Sequence, residues 1–167
     1  MPTTTHHHVG LRVTDIERAA RFYIDAFDGH YKALPFTIEG DFAEIVMDGP
    51  PGVSFTVCMI EFDEGTIELF EFNEPVHPAE PVHATRGNII HFGIQVDDVP
   101  GALAKVEAAG GKRLWPDVNP WGTAKVVYVL DPDGNVLELI DASMDEIVEL
   151  TFESFPQANP ANEEARA

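Results

Sequence analysis

The sequence predicts an α+β fold of two tandem βαβββ modules, and three features of its 167 residues carry that prediction. The chain repeats itself: His8-Val9-Gly10-Leu11-Arg12-Val13-Thr14-Asp15 returns as His91-Phe92-Gly93-Ile94-Gln95-Val96-Asp97-Asp98 at an offset of 83. A second pair, Ile67-Glu68-Leu69-Phe70 and Leu137-Glu138-Leu139-Ile140, matches at an offset of 70. Each repeat opens with two-residue apolar alternation, passes through one stretch of helical spacing, and ends in further alternating runs.

The elements follow in order. A strand is expected over residues 8–13, and Asp15 then offers a carboxylate to the free N–H groups that begin a helix over 16–27. Gly29 stops that helix, and strands follow over 30–38, 53–62 and 66–72, the last two joined by Asp63-Glu64-Gly65. The second half repeats the plan, with a strand over 89–96, Asp98 as cap and a helix over 99–109 stopped at Gly110-Gly111. Strands over 112–115, 123–130 and 136–140 complete it, with Asp131-Pro132-Asp133-Gly134-Asn135 as the hairpin turn. Because the offsets are 83 and 70, the first half is 13 residues longer, and the surplus is assigned to 40–52, where Gly and Pro cluster. The domain organisation read from this is a first module over 1–74, a linker over 75–87 and a second module over 88–141. A helical extension over 142–155 and a disordered tail over 156–167 complete it.

Charge narrows the partners. Ten basic and 29 acidic residues leave a net charge of −19, which repels phosphate backbones and anionic lipid, so neither nucleic acid nor membrane is expected. No run of about 18 apolar residues predicts a membrane span. The single cysteine, Cys58, lies in an apolar run and reads as a buried, inert thiol. With no secretory pattern at the start of the chain, a cytoplasmic location is expected.

Four polar residues recur with the repeat. Each His opens the first strand of its module, and each Glu lies in the last. If those strands are neighbours and the modules pack about a pseudo-twofold axis, His8, Glu68, His91 and Glu138 converge. Two imidazoles and two carboxylates suit one divalent ion, Zn, Ni, Co, Mn or Fe(II), with water in the open positions. Register selects His8 over His6 and His7, since His8 precedes Val9-Gly10 as His91 precedes Phe92-Gly93. His30, His77 and His83 match no repeated position and read as surface residues.

The segments 8–23, 91–98 and 131–139 together resemble the vicinal oxygen chelate superfamily, which includes glyoxalase I, methylmalonyl-CoA epimerase, extradiol dioxygenases, fosfomycin-modifying enzymes and bleomycin-sequestering proteins. The resemblance spans roughly residues 5–141. It implies a curved mixed sheet around a metal-binding cleft, with the ion on the same four residues, and often a cleft formed across a homodimer. It also implies chelation of a small substrate through adjacent oxygens. Keeping all four ligands resembles the glyoxalase and epimerase branches, so a metal-dependent lyase or isomerase working by proton transfer is expected. The alternatives are a ring-cleaving dioxygenase and a metal-independent ligand-binding or resistance protein. By the same resemblance Glu138 is the base, Glu68 acts from the opposite face, and Arg12 binds substrate. The chain departs from glyoxalase after Glu68: Leu69-Phe70-Glu71-Phe72 replaces a Thr-Tyr-Asn run, with Asn73 one place late. Asn119-Pro120-Trp121-Gly122 stands where a Lys-Gly pair is expected, which argues against glutathione as part of the substrate. Among the aromatic residues Phe70, Phe72, Trp115, Trp121 and Tyr128, Trp121 is placed at the cleft because it sits in a Pro-Trp-Gly loop.

Overall fold

The structure, a computed structural model, describes residues 7–76 and 91–160, without the side chains of Asn119, Trp121 and Gln157. The first half runs β1 (Val9–Val13), α1 (Ile16–Phe27), β2 (His30–Ile38), α2 (Asp41–Met47), β3 (Ser54–Glu61) and β4 (Thr66–Glu74). The second runs β5 (Phe92–Gln95), α3 (Val99–Ala108), β6 (Lys112–Arg113), β7 (Asn119–Trp121), β8 (Ala124–Leu130) and β9 (Val136–Ile140). Helix α4 (Met144–Ser154) and a 3₁₀ turn (Pro156–Ala158) close the described chain.

Each half builds one mixed sheet. The strand order is β1-β4-β3-β2 in the first, and β5-β9-β8-β6 with β7 also on β8 in the second. The first and last strands of each module are parallel neighbours, with Gly10 opposite Glu68 and Gly93 opposite Glu138. The expected caps form: the Asp15 and Asp98 side chains accept from the backbone N–H groups of Arg18 and Gly101.

Alternation along the strands gives each sheet two unlike faces. One face of the first sheet, including Leu11, Val13, Ile67 and Leu69, packs with α1. Its counterpart in the second, including Val127, Val129, Leu137 and Leu139, packs with α3. Since α1 also packs on α3, these residues form one shared core, in which each fully buried Leu, Ile or Phe contributes about 1.5–3 kcal/mol. The remaining faces, which carry Glu68 and Glu138, are turned away from that core. Polar contacts lock the halves further: Asp133 accepts from the Thr14 backbone N–H and from Arg18, and Lys105 pairs with Asp28.

Two elements differ from the sequence reading. The surplus at 40–52 contains a helix, α2, whose Ala43 joins Val53, Phe55 and Val57 in a second apolar cluster with Phe70 and Phe72. Residues 119–121 form a short strand rather than a loop, pairing Trp121 with Ala124. Within the stretch read as a disordered tail, 156–158 make the 3₁₀ turn noted above, while 161–167 lie outside the described residues. So does most of the expected linker, including His77 and His83. No helix among the described residues is long and apolar enough to cross a membrane.

Candidate metal centre

The site faces are organised by the parallel pairing of each module's outer strands. In the first half His8 precedes β1, and its Nε2 lies 3.2 Å from Oε2 of Glu68 on β4. In the second, His91 Nε2 lies 3.3 Å from Oε2 of Glu138 on β9. Gly10 and Gly93 sit beside the two carboxylates in the neighbouring strand and add no side chain to the face between His and Glu. A Cβ on Gly93 would stand 3.8 Å from the Glu138 carboxylate, and one on Gly10 would press on the Phe70 ring at 3.2 Å. The repeated glycines thus have a steric role that the sequence pattern left unassigned.

The donor geometry fits an ion. Imidazole nitrogen and carboxylate oxygen bound at about 2.1 Å, at angles between octahedral and tetrahedral, stand roughly 3.0–3.4 Å apart. Both pairs have that separation. The carboxylates are about one-fifth exposed and the imidazoles about one-third, so the pairs are reachable from solvent without being fully solvated.

The structure brings the four residues together as two pairs and not as one cluster. Among the described residues no group of three or more His, Cys, Asp or Glu side chains is placed to share an ion. The pairs stand on separate sheets whose opposite faces line the shared core.

The surroundings of the two pairs are unlike. Tyr128 on β8 is opposite Glu138 in register, and its hydroxyl lies 3.1 Å from His91 Nδ1. Trp115 stacks on the Tyr128 ring, with centroids 4.4 Å apart and planes at 21°. Burial, reinforced by the Glu138 charge, pushes the Tyr128 phenol above its ordinary range, so it keeps its proton. In the first half the residue opposite Glu68 is Met59, and the second nitrogen of His8 faces His7 Nδ1 at 2.6 Å. Tyr128 was visible in the sequence only as one aromatic residue among several in alternating runs.

Arg12 lies two residues beyond Gly10 on the same strand and lines a cleft of about 250 Å³ with Thr14, Glu71, Phe72 and Asn73. Its guanidinium stands 6.0 Å over the Phe72 ring. Asn73, displaced by one place in the sequence, still reaches this cleft, where the β3–β4 pairing shifts register next to Phe55. Phe70 and Phe72 belong to the cluster beneath α2. The Trp121 side chain lies outside the described residues, so its position toward the cleft stays an expectation. His30 pairs with Glu61, to which Lys32 also bonds, away from either candidate pair. Cys58 is buried, and burial pushes its thiol up to about 11.

Comparison with known proteins gives the same architecture. The profile of the Glyoxalase/Bleomycin resistance protein/Dioxygenase superfamily matches residues 5–139. The lactoylglutathione lyase of Haemophilus influenzae is 29% identical over 140 residues, covering 80% of this chain and 90% of that protein. The crystal structure of a glyoxalase family protein from Bacillus cereus superposes with a TM-score of 0.73 at 15% identity, covering 84% of this chain and 95% of the other. A variant of the fosfomycin resistance protein of Listeria monocytogenes, solved with Mn(II) and a dihydroxypropylphosphonic acid, superposes at 0.58 with 16% identity, covering 88% and 99%. At these identities the two superpositions speak for the fold alone.

Proposed function

The chain belongs to the glyoxalase/bleomycin resistance protein/dioxygenase superfamily, and we propose that within it this protein is a metal-dependent lyase or isomerase moving a proton on a small substrate held through two adjacent oxygens. The observation that carries the reading is the recurrence of one His–Glu pair in each half, both with the separation of neighbouring ligands on one ion. Four such groups meet when module 1 of one copy faces module 2 of a second. The working form is therefore assigned to a homodimer with two equivalent sites. The separation of the two pairs on different sheets, both faces turned away from the shared core, supports that assignment, because each face then has a partner.

In this reading His8, Glu68, His91 and Glu138 hold Zn, Ni, Co, Mn or Fe(II). Such an ion, when bound, polarises the substrate oxygens and so acidifies the carbon between or beside them. Glu138 takes the proton from that carbon, and Glu68, on the other side of the cleft, returns one. The water-accessible but partly buried carboxylates suit both steps. Arg12 and Asn73 receive an anionic or polar end of the substrate, with Arg12 displaced from His8 by four strand residues, roughly 13 Å. Trp121 is assigned to the apolar part of the same substrate site.

Elemental analysis combined with deuterium exchange tests this. Purified protein is expected to carry one ion per chain, and His8→Ala and Glu138→Gln each to lose most of it. In D₂O, wild type should wash deuterium into a hydroxyketone or acyl thioester next to its carbonyl, and Glu138→Gln should slow this by about 10²–10⁴-fold. A full equivalent of ion in both variants would remove the four-residue site from consideration.

A further inference from the structure

Tyr128 touches a candidate ligand directly, and its chemistry differs completely between the halves. It occupies the position opposite Glu138, and the matching position opposite Glu68 holds Met59. A thioether offers no hydrogen to share, whereas a phenol both donates and accepts. The Tyr128 hydroxyl stands 3.1 Å from His91 Nδ1, and Tyr128 is opposite Glu138 in strand register. His91 Nε2 lies on the other side of the ring, 3.3 Å from the Glu138 carboxylate, so the two ring nitrogens divide between Tyr128 and the candidate ion site. A neutral ring that gives its Nε2 lone pair to an ion carries its proton on Nδ1, and the Tyr128 oxygen stands where it accepts that proton's hydrogen bond. Trp115 holds the phenol ring in plane by stacking on it, and the backbone N–H of Leu114 bonds the Tyr128 carbonyl at 2.8 Å.

We infer that Tyr128 is a positioning residue that holds the His91 ring by its Nδ1 and turns Nε2 to the ion site, making module 2 the preformed half of the metal centre. The inference rests on the metal-site reading given above and goes beyond it, because it assigns unequal parts to two ligand pairs with matching geometry. Among the described residues module 1 has no such device. His8 is approached by His7, an exposed neighbour in the chain, and Met59 can turn without breaking a hydrogen bond. The first pair therefore adapts to an ion that the second pair has already oriented.

Tyr128→Phe isolates the hydroxyl, since the ring and its stack on Trp115 are kept. Zinc affinity measured by competition with a chelating dye should fall about 10- to 100-fold, the usual effect of removing a group that orients a ligand. Met59→Leu, the matching change in module 1, should leave it unaltered. The metal-free melting temperature should be the same in all three proteins, which separates orientation from folding. Long-range ¹H–¹⁵N spectra of the zinc-loaded protein give the second reading: the His91 Nδ1–H should be slow to exchange with solvent in wild type and fast in Tyr128→Phe. An unchanged affinity or an unchanged Nδ1–H exchange rate in Tyr128→Phe overturns the inference and leaves the metal centre standing. Failure of wild type to take up zinc overturns both together.

Discussion

The two halves of the molecule present His, Gly and Glu at the same strand positions, yet each is finished differently. In module 1 the β3–β4 turn, Asp63-Glu64-Gly65, is exposed, and the far part of the site face is covered by α2. In module 2 the corresponding turn begins with Asp131, which is 3% exposed and accepts from Tyr23, from two backbone N–H groups and from the Asn135 amide. Burial raises the Asp131 carboxyl above the ordinary range even though these hydrogen bonds pull it down. The same turn sends Asp133 to Thr14 and Arg18 of module 1. A duplicated pattern has thus kept its His–Glu pairs while dividing other tasks: module 2 clamps the halves together and sets Tyr128 against its pair, and module 1 keeps an accessible cleft beside Arg12.

Breaking the clamp should have the largest effect. Asp131→Ala strands the buried Tyr23 hydroxyl and two backbone N–H groups, and is expected to cost about 3 kcal/mol in chemical denaturation. Asp63→Ala, in the exposed turn of module 1, should stay within about 0.5 kcal/mol. Equal losses would contradict the division of roles. A smaller effect should come from filling the space beside a ligand. Gly93→Val places methyl groups next to the Glu138 carboxylate on a strand that accepts valine. It should weaken zinc binding by about tenfold or more, with little change in melting temperature. The smallest expected effects are those where the halves are alike: Asp15→Ala and Asp98→Ala each remove one helix cap and should each cost about 1 kcal/mol. Markedly unequal costs would show that the two helices do not play equivalent parts in the core.

Most of this fold was legible because its signals are local. Helical spacing after an Asp cap placed α1 over 16–27 and α3 within a residue of its end, and the hairpin turns set β3–β4 and β8–β9. Helix α2 was hidden because Gly40, Pro50, Pro51 and Gly52 mark a loop. In addition, its seven residues carry apolar side chains on several sides, with Phe42 and Ile45 exposed. Pro120 likewise masked β7, which pairs with β8 alone among the described residues. At the site, the repeat marked His8, Glu68, His91 and Glu138, and strand pairing makes each half's pair. Repetition says nothing of how the modules are joined, however, so the separation of the pairs within one chain was not readable. Tyr128 escaped for a related reason. The second hairpin connection is one residue longer than the first, so Tyr128 and Met59 do not align at the offset that aligns the two glutamates.

The claim that the metal centre is completed between two copies is tested most directly by complementation. One variant combines His8→Ala with Glu68→Gln, and the other combines His91→Ala with Glu138→Gln. Each alone lacks a full set of four ligands in any dimer it forms. When the two are co-expressed and the mixed dimer is isolated by differential tagging, module 1 of the second variant faces module 2 of the first, and one intact site results. Elemental analysis should then find one tightly held ion per mixed dimer and almost none in either parent. A mixed dimer as empty as its parents would contradict the account.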